Sequence, residues 1–263
     1  MSGHLSRIFL KKIKGGPVSR ISLLVKYANS VSEGDFMGRR IGSKLLLVAA
    51  CMLVLAAAGC DGSFESDDSH RVNGSIHVPV GKQAVDVTTV NGGIHIDDNA
   101  AVMSAATVNG SIHVGAHATA TSLKTVNGSI SLASGAHVSG SSASVNGDLT
   151  LGDGAEVSGS VSNVNGKIAV TAAHVGGGIS TVDGNISIMG ASHVDGGILV
   201  KKPSGFGISF GEDVPTIVIG PGATVQGDLR FERKVRLFVS DKATIGPVTG
   251  ATAVPFTGDN PPT

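Results

Sequence analysis

The chain of 263 residues has no tryptophan, one tyrosine and two cysteines, and aromatic residues make up 3% of it. So few rings exclude a core built on large side chains and argue against a Trp- or Tyr-lined groove for sugars or stacked bases. Net charge is missing too, since 20 Lys and Arg balance 20 Asp and Glu. That neutrality conceals an asymmetry. The first 60 residues carry nine basic and two acidic side chains, leaving 11 basic and 18 acidic, a net of −7, for the remainder. Such an acidic body lacks the clustered cations that nucleic-acid affinity requires, so no nucleic-acid partner is expected. What the chain has in plenty is glycine, 38 residues of it.

From Met37 the sequence reads MGRRIGSKLLLVAACMLVLAAAGCDG. Arg39, Arg40 and Lys44 precede an unbroken apolar run from Leu45 to Ala58, followed by Gly59 and Cys60. A basic start, a short apolar stretch and small residues at its end describe a secretory signal over 37–60, too short for a good bilayer span. The ending Ala-Ala-Ala-Gly-Cys resembles the lipobox of bacterial lipoproteins. That resemblance implies that Cys60 becomes the lipidated first residue of the mature chain. Cys51 would be removed with the signal, so no cysteine is left for a disulfide or a metal. Residues 1–36 precede the signal and are expected to be a gene-model or disordered extension, with Met37 as the true start. Residues 61–70, DGSFESDDSH, are acidic and polar and predict a flexible tether.

The body repeats. Val72, Val90, Val108, Val126, Val145, Val164 and Val182 each open a Val-Asn/Asp-Gly-x-Ile/Leu motif, at spacings of 18, 18, 18, 19, 19 and 18 residues. Within one motif the alternation predicts that Val108, Gly110, Ile112 and Val114 share a buried face, with Asn109, Ser111 and His113 opposite. A second module, Val138-Ser-Gly, Val157-Ser-Gly, Val175-Gly-Gly, Val194-Asp-Gly and Val225-Gln-Gly, lies between the first ones. Each repeat therefore holds two or three short strands joined at Gly-rich corners, where Gly and Asn would tolerate positive φ. This length suits one coil of a parallel β-solenoid, with equivalent residues stacked about 4.8 Å apart. In that arrangement Asn73, Asn91, Asn109, Asn127, Asn146 and Asn165 form one column that could stack as an amide ladder. An antiparallel meander competes, because Asn-Gly between apolar alternations is also a hairpin signal.

Two stretches, GDLTLGDGAEVSGSVSNVNGKI at 147–168 and IVIGPGATVQGDLRF at 217–231, resemble the coils of bactofilin-type polymer-forming β-helices. The TVNGSI repeats resemble the right-handed β-helical adhesin-type domains of bacterial envelope proteins. One departure matters: bactofilins are usually cytoplasmic and polymerise end to end, whereas this chain carries an export leader. Its last part also differs. Residues 201–256 hold Phe206, Phe210, Phe231, Phe238 and Phe256, beside the charges Arg230, Glu232, Arg233, Lys234 and Arg236. Bulk and charge at one end suit a solenoid cap.

Several groups could carry chemistry. His77, His95 and His113 share one register in three successive repeats and would form an outward column able to bind a transition metal or respond to pH. A plain solvated face is the simpler expectation, because Ser131, Thr150, Ala169 and Ser187 serve at the same register and no carboxylate or Cys accompanies the histidines there. A second set comprises His117, His137, His174 and His193 with Glu156, but its offset from the preceding Val drifts from nine to eleven residues. Asp97, Asp98, Asp148, Asp153, Asp183 and Asp195 fall at corners, where Asp is a common turn former, and do not form a calcium-binding nonapeptide series. Ile219-Gly-Pro-Gly-Ala-Thr-Val resembles a hexapeptide acyltransferase coil, yet acyl-CoA is cytoplasmic. Polysaccharide lyases need basic and acidic clusters that the mid-body lacks, with Lys124 and Lys167 alone between 83 and 200.

The expectation is an all-β, single-stranded, right-handed parallel β-helix of about eight or nine rungs. Repeats would occupy 71–200, C-terminal rungs and a cap 201–257, and a disordered tail 258–263. No enzyme activity and no cofactor are expected. The implied role is a lipid-anchored envelope scaffold or adhesin, facing the periplasm or cell surface, with the membrane as one partner and a homo-oligomer or envelope polymer as another. The alternative is a metal- or pH-responsive module using the His columns.

Overall fold

The structure, a computed structural model, describes residues 69–203, 214–259 and 261. The extension at 1–36, the signal at 37–60 with Cys60, and most of the tether lie outside the described residues. All described residues fall within one compact unit, 45–263.

The described residues form strands and no helix, and every ladder between strands is parallel. The antiparallel meander is thereby excluded, and the chain is a parallel β-solenoid. One face is a ten-stranded sheet, whose strands number the rungs from 1 to 10. They are Ile76–Val78, Ile94–Ile96, Ile112–Val114, Ile130–Leu132, Leu149–Leu151, Lys167–Thr171, Asn185–Met189, Thr216–Ile219, Arg236–Ser240 and Ala253–Phe256. There are thus ten rungs where eight or nine were expected. Rungs 8 to 10 lie beyond the last Val-Asp-Gly motif, which is why a count of motifs falls short.

The remaining strands form a 16-stranded sheet that changes shape along the axis. Beside rungs 2 to 4 it uses one nine-residue strand per coil: Gln83–Asn91, Ala101–Asn109 and Thr119–Asn127. In the next coil that strand divides into His137–Val138 and Ser142–Asn146. The division coincides with the first 19-residue spacing, from Val126 to Val145, so one added residue becomes a corner at Ser139-Gly140. Early coils accordingly hold two strands and later coils three.

The core is a set of vertical columns. Ile76, Ile94, Ile112, Ile130, Leu149, Ile168, Ile186, Ile217 and Leu237 stack in register, and all are buried. Each fully buried Ile or Leu contributes roughly 1.5–3 kcal/mol, so the column, repeated on each face, sustains the narrow interior without large rings.

At the motif corner the structure departs from simple alternation. Val108 is half-exposed, whereas the preceding Thr107 is buried, and the same holds for Val90 with Thr89 and Val126 with Thr125. The strand ends at Asn109, and the turn through Gly110 and Ser111 breaks the period before Ile112 points inward again. The inward hydroxyls are satisfied locally. Thr89, Thr107, Thr125 and Ser144 donate to the carbonyl oxygens of Gly74, Gly92, Gly110 and Gly128 at 2.9–3.0 Å. A hydrophobic residue there would leave those carbonyls without this donor.

At the motif corner Gly74 and Gly166 have the expected positive φ, of 108° and 106°. Gly92, Gly110 and Gly128 do not; instead a Cβ on Gly110 would run into the Gly92 carbonyl oxygen of the rung below. Close approach, rather than left-handed backbone, requires glycine there. Left-handed residues form a separate corner column: Gly81, Asn99, His117, Gly135, Gly154, Ala172, Gly190 and Gly222 have φ between 47° and 75°.

Candidate functional site

The outward residues form columns by the same register that builds the core. At the corner before each rung, the asparagine column is a continuous amide ladder. Nδ2 of Asn91, Asn109, Asn127, Asn146 and Asn165 each donates to Oδ1 of the Asn one rung earlier, starting at Asn73, at 2.8–3.0 Å. The ladder stops at rung 7, where Asp183 takes the position and pairs with Arg233 instead.

His77, His95 and His113 stand side by side on rungs 1 to 3, in the expected outward column. The His95 and His113 rings stack with centroids 4.7 Å apart, while His77 meets His95 edge-on at 5.6 Å. Below them the register continues through Ser131, Thr150, Ala169 and Ser187. His113 Nδ1 and Ser131 Oγ are 2.7 Å apart. No carboxylate stands at this register, as expected, but one reaches the column from the corner. Asp97, two residues past His95 at the corner, places Oδ2 at 2.7 Å from His77 Nε2 and Oδ1 at 3.3 Å from His95 Nε2. Its position in the sequence suggested only a turn former, because its side chain crosses back to the column after the corner.

The second set is partly reassigned. His137, Glu156, His174 and His193 form one true column on the opposite sheet, followed by Thr224 and Thr244. His117 does not belong to it; it occupies the left-handed corner column with φ of 55°, and Thr119 pairs with His137 in its place. His117 accounts for the offset of nine, while the true column itself varies between ten and eleven residues from the preceding Val.

Along this column carboxylates alternate with imidazoles. Glu156 lies 3.2 Å from His137 Nδ1 and 3.8 Å from His174 Nδ1. Asp195, again two residues past a histidine, lies 3.1 Å from His174 Nε2 and 3.0 Å from His193 Nε2. Gln226 Nε2 closes the series at 2.9 Å from His193 Nε2. Three carboxylates, Asp97, Glu156 and Asp195, are therefore each shared by two histidines of successive or near-successive rungs.

The five side chains of the second column and Asp195 are each 38–43% exposed, so each pair contributes at most about 1 kcal/mol to stability. Imidazole and carboxylate are ligands for zinc, nickel and copper. Among the described residues, however, no group of three or more His, Cys, Asp or Glu stands in an arrangement ready to hold a metal ion. The described surface otherwise offers shallow hollows, such as one between Asp183, Asn185, Pro215 and Arg236. The expected lipidation residue, Cys60, lies outside the described residues.

Comparison of the chain with protein-family models, curated proteins and solved structures finds no match.

Proposed function

We propose that this chain is a non-enzymatic β-solenoid of the bacterial cell envelope, tethered to a membrane through a lipid on Cys60 and serving as a scaffold or adhesin-like surface. The observation that carries this reading is the unbroken lamination of the rungs. Backbone ladders, an interior apolar column and an exterior amide ladder all run in the same direction from coil to coil. Such a stack resists local opening, because each coil is held by both neighbours. The resemblance to bactofilin-type and adhesin-type helices points the same way, and the basic-apolar-Cys60 leader supplies the address. The partners of this role are the membrane and either further copies of the chain or an envelope polymer.

The test is fractionation of bacteria expressing the full chain, with protease treatment of whole cells, alongside a Cys60→Ser variant. The expected result is a membrane-bound, lipid-bearing wild type and a variant released from the membrane or held as precursor. A wild type recovered without lipid in the soluble fraction would overturn the proposal.

The shared carboxylates favour one second reading, a metal- or pH-responsive binding surface. Rotation of His174 and its neighbours about Asp195 or Glu156 would be needed to bring three ligands to one ion. Calorimetric titration with Zn²⁺ or Ni²⁺ decides: binding lost in a His174→Ala variant supports it, and no heat at millimolar metal removes it.

A further inference from the structure

The amide ladder contains six Asn-Gly dipeptides, the sequence in which spontaneous deamidation is easiest, and the fold protects all but one of them. Deamidation begins when the glycine amide nitrogen attacks Cγ of the preceding asparagine. A C–N bond forms, the side-chain NH2 leaves with the amide proton as ammonia, and water then opens the succinimide to aspartate or isoaspartate. The nucleophile is the glycine N–H. In five corners that group is already committed: Gly74, Gly92, Gly110, Gly128 and Gly147 donate to the carbonyl oxygens of Asn91, Asn109, Asn127, Asn146 and Asn165 at 2.9–3.1 Å. Gly166 breaks the series. Among the described residues its N–H has no acceptor: the next coil keeps half of the pairing, in which Asp183 N–H donates to Val164 O as Asn165 N–H does to Val145 O, but the half from Gly166 N–H to the Asp183 carbonyl is missing, and Gly184 N–H donates to Thr181 Oγ1.

The same corner differs from the others in its side chains as well. Asn163 stands where the other coils have Thr89, Thr107, Thr125 or Ser144, and its Nδ2 donates to the carbonyls of Asn165 and Gly166 within the same corner, at 3.3 and 3.0 Å. Asn165 is also the last amide of the ladder. Its Nδ2 donates to Asn146 Oδ1 at 2.8 Å, but at the next position Asp183, a carboxylate turned to Arg233, offers no amide to its own Oδ1.

We infer that Asn165 is a site of spontaneous modification, converting to aspartate or isoaspartate in the folded protein ahead of every other asparagine in the ladder. The product would lose the donor that reaches Asn146 and would place a negative charge next to Asp183. Isoaspartate would also lengthen the backbone just before the strand Lys167–Thr171. The inference does not depend on the proposed function.

Ageing of the full chain at mildly alkaline pH, followed by acid quench and tryptic mapping, tests it. Asn127, Asn146 and Asn165 all fall between Lys124 and Lys167, in one peptide, so fragmentation compares them directly. Asn165 is expected to convert about tenfold faster than the other two, the factor corresponding to one net hydrogen bond. In urea the three rates should converge. Equal rates in the folded chain, or the same preference in urea, would overturn the inference.

Discussion

Arg233 pairs with Asp183 across 50 residues of sequence, joining the corner before rung 9 to the corner before rung 7. In sequence, 15 residues separate the strands Ile198–Val200 and Thr216–Ile219, where three separate Ile179–Thr181 from Asn185–Met189. Arg233 Nη1 also donates to the Val182 carbonyl at 3.1 Å, and the two charged side chains are only 16% and 14% exposed.

Removing one partner of a largely buried pair leaves the other charge uncompensated. Arg233→Ala is expected to cost about 2–3 kcal/mol, slightly under the range for a fully dry pair. Urea unfolding of the two proteins gives the comparison, and a loss below about 0.5 kcal/mol would remove the pair as a clamp between coils.

Ser142 is fully buried between Leu123 and Val161 in an otherwise apolar column, and among the described residues its Oγ has no hydrogen-bond partner. A buried hydroxyl without a partner carries its desolvation cost uncompensated. Ser142→Ala is therefore expected to raise stability by about 1 kcal/mol, read as a later urea midpoint at unchanged slope. An earlier midpoint would contradict the assignment.

The corner glycines predict the opposite sign. Gly110→Ala drives a Cβ into the Gly92 carbonyl, and backbone cannot move aside without opening the ladder above it. A loss above about 2 kcal/mol is expected, with faster amide exchange at Gly92 and Ser111. Asn109→Ala, one residue away, removes two exposed amide bonds only and should cost about 1 kcal/mol.

At the second histidine column stability and binding should separate. Glu156→Gln keeps the shape of the side chain and removes the charge shared by His137 and His174. Its unfolding free energy should change by less than about 1 kcal/mol. Under the metal-binding reading the same variant should bind Zn²⁺ measurably more weakly than wild type. Unchanged affinity would detach Glu156 from any metal role.

Much of this was readable along the chain. The regular recurrence of Val-Asn-Gly pointed to a parallel solenoid, and the parallel ladders excluded the antiparallel meander that the same dipeptides allowed. The amide ladder followed from the same arithmetic, as did the outward column of His77, His95 and His113. Residues after the corners were harder to place. Asp97 and Asp195 reach their histidines from two positions further on, after a change of chain direction that one-dimensional spacing does not record. His117 and His137 resemble each other in local sequence, yet one sits at a left-handed corner and the other on a strand.

The sequence by itself determined the repeat and the strand-forming columns, since both depend on residue type and interval alone. Tertiary structure decided the rest. Thr107 turned inward in place of Val108 because a carbonyl in the neighbouring corner needed its hydroxyl. Gly110 was required by the closeness of the next coil, and Asp183 found Arg233, 50 residues further along the chain. Each of these is a contact between coils, and its geometry exists only once the coils are stacked.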